Sequence, residues 1–111
     1  KVPIIIHVHC AKLIPLLLKD THYRNLFETG YGSGNNDQSV RKEQERKLFN
    51  GMYTFCDPKE RPKYGCLNVN LKDEGCVLAK QYGDGYFVMN NTTIRWRITL
   101  TIKDSFAVNG V

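Results

Sequence analysis

The sequence has no long hydrophobic run. Its longest uncharged apolar stretches, Val2 to Ile6 and Leu13 to Leu18, fall far short of the ~20 residues a membrane-crossing helix needs. It has no internal repeat and no low-complexity segment. It has no continuous basic stripe either. The bases are scattered apart from Arg41-Lys42 and Arg46-Lys47, which argues against a dedicated nucleic-acid surface. Cysteine is sparse, with Cys10, Cys56, Cys66 and Cys76 and no Cys-x-x-Cys pair. An even count permits disulfides, but a chain this poor in cysteine and adequate in apolar residues points to buried free thiols in a reducing compartment. A P-loop is excluded because no Gly-Lys-Ser/Thr follows the glycines, and no Ser-His-Asp order or pair of catalytic carboxylates stands out.

What is present makes one domain with a modest core. The chain has 111 residues, 41% hydrophobic and 24% charged, which are ordinary globular values. Its net charge of +5 favours anionic partners without naming one. It starts on a strand pattern and stops in Val108-Asn109-Gly110-Val111 with no stop signal, so a fragment of a longer protein is expected.

The pattern predicts strand, helices, then an antiparallel meander, an α+β arrangement. Val2 to Val8 is β-branched and continuous, as in a strand buried on both faces. Ala11 to Asp20 reads as a helix starting near Leu13, with Pro15 in its first turn. Thr21 is expected to cap a short helical turn through Tyr23, Leu26 and Phe27 that Gly30 stops. Asp37 or Ser39 caps a helix from Gln38 to Asn50. There Val40, Leu48 and Phe49 form a thin apolar side, and Arg41–Glu45 and Glu43–Lys47 lie on a solvated face. Leu67, Val69 and Leu71 alternate with Cys66, Asn68 and Asn70, as in a half-buried strand. Lys72 to Gly75 is a turn, Cys76 to Ala79 and Tyr86 to Met89 are strands, and Asn90-Asn91 is a hairpin turn. A last strand sets Ile94, Trp96, Ile98, Leu100 and Ile102 against Arg95, Arg97, Thr99 and Thr101.

Candidate site residues cluster in a few stretches. Tyr64-Gly65 and Tyr82-Gly83 each open a strand-like run, where glycine admits another backbone or a ligand. Tyr82, Gly83, Gly85 and Tyr86 form an aromatic platform suited to a flat ring such as nicotinamide, or simply a bulged strand entry. His7 and His9 share a strand face. Either hydrogen-bonds a ribose or diphosphate, or serves as a structural imidazole with a backbone partner. A metal is not expected, because Cys10 points away and His22 lies on a helix or turn. Gly30 and Gly32 belong to a glycine-rich run that turns N–H groups toward phosphate or merely connects. Arg95 and Arg97 clamp an anion or stay solvated.

These motifs also carry a resemblance. The His7-x-His9 strand, Tyr23 to Gly30 (Tyr-Arg-x-x-Phe-Glu-Thr-Gly), Leu48 to Tyr53, Arg61 to Asn68 (Arg-Pro-Lys-Tyr-Gly-x-Leu-Asn) and Tyr82 to Val88 resemble the DUF3626 family over nearly the whole chain. The family's layout looks like an ADP-ribosyltransferase core, which binds NAD in the cleft of a split sheet. That resemblance implies His7 or His9 as the first-strand ribose contact and Tyr82, Gly83, Gly85 and Tyr86 as the aromatic element. Thr99 or Thr101 is the alternative hydroxyl. The carboxylate that stabilises the reacting ribose is expected beyond Val111. Glu28 is then the one candidate in a suggestive motif, and this chain would be an incomplete transferase half. A protein acceptor is implied, ubiquitin among the candidates, in the cytoplasm or in a host cytosol reached as an effector. The rival reading is a non-catalytic module that docks a protein on Arg95, Arg97 and the Asn68/Asn70 row. Nucleic acid and membrane rank below both.

Overall fold

The computed structural model describes residues 2–32, 36–94 and 96–101. They fold into two compact units. The first contains Lys1–Tyr23 and Lys63–Ile98, the second Arg24–Pro62 and Thr99–Val111.

The first unit is built on three antiparallel strands, β1 (Ile4–Val8), β2 (Cys66–Leu67) and β3 (Gly85–Val88), in the order β2-β1-β3. The expected α+β class with an antiparallel sheet is observed, and the N-terminal strand takes the middle place in it. β1 pairs with β3 from Ile5↔Val88 to Val8↔Gly85, and with β2 only at Ile4↔Leu67 and Ile5↔Cys66. Its burial follows from that position. Ile5, Ile6 and Val8 are buried, each stabilising the fold by about 1.5–3 kcal/mol. The short helix α1 (Cys10–Leu17) follows without burying any residue.

Several expectations in this unit need correction. The first helix starts at Cys10, so Pro15 lies inside it rather than in its first turn. The Asp84 carboxylate accepts the Cys10 N–H, and the His9 carbonyl accepts from Lys12 and Leu13, which starts the helix early. The half-buried strand over 66–71 shrinks to β2, and its expected apolar side is not buried. Val69 and Leu71 are 64% and 65% exposed, while Asn68 is 6% exposed. The Asn68 amide explains this. It donates to the Lys72 carbonyl and accepts the Lys72 N–H, winding a turn where a strand was expected. Cys76 to Ala79 is likewise no strand, because Val77–Tyr82 forms a 3-10 helix. The Lys72 to Gly75 turn is present, closed by the Gly75 N–H to the Lys72 carbonyl.

Asn90 does not make a hairpin. Its carboxamide oxygen accepts from the Thr92 N–H and hydroxyl, and its carbonyl accepts from Thr93 and Ile94, winding α4 (Asn91–Ile94). The last strand is therefore not formed over its described residues 96–101, and Trp96 is 82% exposed. Arg95 and Ile102 lie outside the described residues.

The second unit has α2 (Leu26–Thr29), α3 (Gln38–Leu48) and a 3-10 turn at Pro58–Glu60. Asn25, not Thr21, caps α2. Its side chain accepts the Glu28 N–H and Glu28 accepts the Asn25 N–H, a reciprocal capping box that Gly30 closes at φ +77°. Asp37 caps α3 through the Ser39 and Val40 N–H groups, as expected. The face of α3 differs from expectation: Val40 is exposed, while Gln44 and Glu45 are buried. Glu45 is inward because Arg61 reaches it at 2.8 Å. The same guanidinium stands over the Phe27 ring, 4.7 Å from its centre. Glu43 pairs with Arg46 rather than Lys47.

Candidate functional site

The site grows from the central strand. His7 sits near the end of β1, 5% exposed, with both ring nitrogens engaged by backbone. Nε2 accepts the Cys76 N–H at 3.1 Å. Nδ1 faces the Gly83 carbonyl at 3.3 Å. An acceptor at Nε2 places the proton of the neutral ring on Nδ1, where Gly83 takes it. Tyr86, opposite His7 in the β1–β3 register, lays its ring 5.5 Å from the imidazole. His9, by contrast, leaves the strand and stands at the N-cap of α1, half-buried.

Glycine makes this close packing possible. A Cβ at Gly83 would overlap the Val8 backbone, and one at Gly85 would overlap the Cys10 sulfur. The glycine of the Tyr82-Gly83 step therefore admits another backbone. At Gly75, whose φ is +83°, a Cβ would stand 2.6 Å from His7 Nε2.

Beside these residues lies a cleft of about 440 Å³. Tyr86 lines it with Gly83 and Gly85, and Asp73, Glu74, Lys80 and Asp84 supply its charge. Three carboxylates against one ammonium give it a negative field. The Cys10 N–H, and then its own backbone N–H, hold the Asp84 carboxyl below the usual carboxylate range. Sequence reading passed over Asp73, Glu74, Lys80 and Asp84. The only signal for Asp84 was an acidic residue between two glycines just before a strand.

Cys66 and Cys76 also meet here. The Cys66 thiol donates to the Cys76 sulfur at 2.8 Å, and the Cys76 thiol donates to the Leu67 carbonyl at 3.3 Å. Burial, then the hydrogen bond to Cys76, pushes the Cys66 thiol up to about 12. All four cysteines are half-buried rather than buried. His7, Cys66 and Cys76 offer ligand atoms within 4.8 Å of one another. Tetrahedral zinc would hold two thiolates about 3.8 Å apart and needs a free nitrogen lone pair. In this structure the sulfurs are closer, and Nε2 accepts the Cys76 N–H. The signal for this grouping was two cysteines bracketing the Lys72 to Gly75 turn.

The remaining expected residues fall in both units. Tyr64 and Tyr82 are half-buried in the first unit, and Arg97 is exposed there. Glu28, Gly30, Gly32 and Thr99 belong to the second unit. The Glu28 carboxylate is engaged in the α2 capping box and with Arg24, and the Gly32 N–H donates to the Asn36 side chain. Arg95, Ser33 and Gly34 fall outside the described residues. No helix among the described residues is long and apolar enough to cross a membrane.

Neither a curated protein nor a solved structure matches the chain. A family model does. The one described as "Protein of unknown function (DUF3626)" matches residues 5–110, so that the chain belongs to the DUF3626 family.

Proposed function

We propose that this chain is an NAD-binding, ADP-ribosyltransferase-like domain that acts on a protein acceptor. The observation that carries this reading is the His7–Tyr86 pair, a first-strand histidine against a neighbouring-strand tyrosine that lines a cleft. The charge of the cleft suits one end of NAD. Asp73, Glu74 and Asp84 attract the cationic nicotinamide ring, and Tyr86 offers that ring an aromatic face. The diphosphate is better matched outside this acidic lining. His7, with both nitrogens engaged within the protein, holds the wall behind Tyr86. When bound, NAD supplies the ADP-ribose group and nicotinamide as the leaving group.

A non-catalytic protein-binding module is the second reading. Asn68 does not serve it, because it is buried in its own turn, whereas Asn70 is exposed. Exposed apolar side chains favour it instead: Val69, Leu71, Val77, Leu78 and Val88 in the first unit.

Titration of the isotope-labelled protein with NAD, followed by amide shifts, tests the first reading. Shifts are expected at Glu74 and Gly83 to Tyr86, and Tyr86→Ala should weaken binding roughly tenfold. An absence of shifts at millimolar NAD overturns it and leaves the binding module.

A further inference from the structure

We propose that Cys66 and Cys76 form a reversible intramolecular disulfide that fixes the Cys76 loop against the central strand. Three observations carry this inference. The two sulfurs are 2.8 Å apart, less than about 1 Å longer than a covalent S–S bond. Both residues are half-buried, so a small oxidant reaches them while bulk protein thiols do not. The structure also has a need for such a tie. β2 is held to β1 by two residue pairs, and the described apolar residues buried in this unit are Ile5, Ile6 and Val8. Small units with so thin a core commonly rely on cross-links.

The oxidant is a low-molecular-weight disulfide such as oxidised glutathione. The Cys76 thiolate attacks one of its sulfurs, releasing one small thiolate and leaving a mixed disulfide at Cys76. The Cys66 sulfur then attacks the Cys76 sulfur. Its proton and the remaining small thiolate depart together as the second free thiol. Two protein thiols and one small disulfide thus become one protein disulfide and two small thiols. Burial raises the Cys66 thiol, which disfavours it as the first nucleophile. The product closes a ring around the nine residues from Leu67 to Gly75. That ring includes Asp73 and Glu74 of the cleft and ends at the amide that holds His7. Redox state therefore sets how rigidly one wall of the cleft is held, whatever ligand the cleft takes.

The test oxidises the whole chain with glutathione disulfide, alkylates the remaining thiols and digests with trypsin. Cleavage after Lys63, Lys72 and Lys80 separates Cys66 from Cys76 unless they are linked. The expected result is a linked pair of peptides, two hydrogens lighter than their sum, that dithiothreitol separates. Cys10→Ser and Cys56→Ser should retain the link, and Cys66→Ser or Cys76→Ser should abolish it. Exchange of the Cys76 amide should slow at least about tenfold in the oxidised protein. Four alkylated cysteines after oxidation, or links only to Cys10, Cys56 or another chain, would overturn the proposal. So would protection of Cys66 and Cys76 by added Zn²⁺ in protein that never cross-links.

Discussion

The backbone N–H of Cys76 donates to Nε2 of His7 at 3.1 Å across 69 positions of sequence. Together with the Gly83 carbonyl at Nδ1, it makes the imidazole a bridge between β1 and two later segments. His7→Ala leaves both backbone groups without their partner and opens a cavity. The expected loss is about 2–4 kcal/mol of unfolding free energy, read from urea denaturation. A loss under about 1 kcal/mol would mean that the bridge contributes little.

Arg61 and Glu45 form the other buried connection. They lie in the second unit, 8% and 1% exposed, and the second carboxylate oxygen of Glu45 has no hydrogen-bond partner there. Arg61→Ala strands a buried carboxylate and uncovers the Phe27 ring. It should cost about 3–5 kcal/mol, measured by the same denaturation. The double variant Arg61→Met, Glu45→Leu should recover most of that loss, because no buried charge remains.

Two glycines should differ sharply. Gly83→Ala drives a methyl into the Val8 backbone, which cannot yield without parting β1 from its neighbours. A destabilisation above about 3 kcal/mol is expected, with loss of dispersed amide signals. Gly32→Ala meets only ordinary contacts, at 3.7 Å, and should stay within about 0.5 kcal/mol of the parent.

Acid should erase one contribution in a defined order. The Asp84 carboxyl is held below its ordinary value by the Cys10 N–H. A depressed folded value means that the carboxylate stabilises the fold fully above its unfolded value of about 3.9. The contribution falls away as pH drops through the lower folded value. Asp84→Ala should therefore melt below the parent at neutral pH, and the two melting temperatures should converge as the pH falls below the lowered folded value. A gap that stays constant with pH would assign the effect to packing.

Elements set by neighbouring residues were legible in the sequence. β1 was visible in its β-branched run, α3 in its Asp37 cap, and the end of α2 in Gly30. Elements set by distant partners were not. Glu45 looks like part of a solvated charge run until Arg61, 16 positions later, turns it inward. Asn68 looks like the polar half of an alternating strand, yet its amide satisfies the Lys72 backbone better than a ladder would. The candidate site divided in the same way. His7, Tyr86 and the glycines near them were recognisable by type and spacing. The acidic lining of the cleft and the thiol pair depend on how the Lys72 to Gly75 turn folds back, which no local pattern encodes.

The central place of β1 also has a consequence for synthesis. The partners of Ile4 and Val8 are Leu67 and Gly85, so neither edge of this apolar strand can pair until more than half of the chain has been made. At ribosomal speed that leaves it waiting roughly 3–15 seconds, with both hydrogen-bonding edges open. A strand in that state offers both edges as templates for pairing with another chain, a hazard that the finished sheet removes.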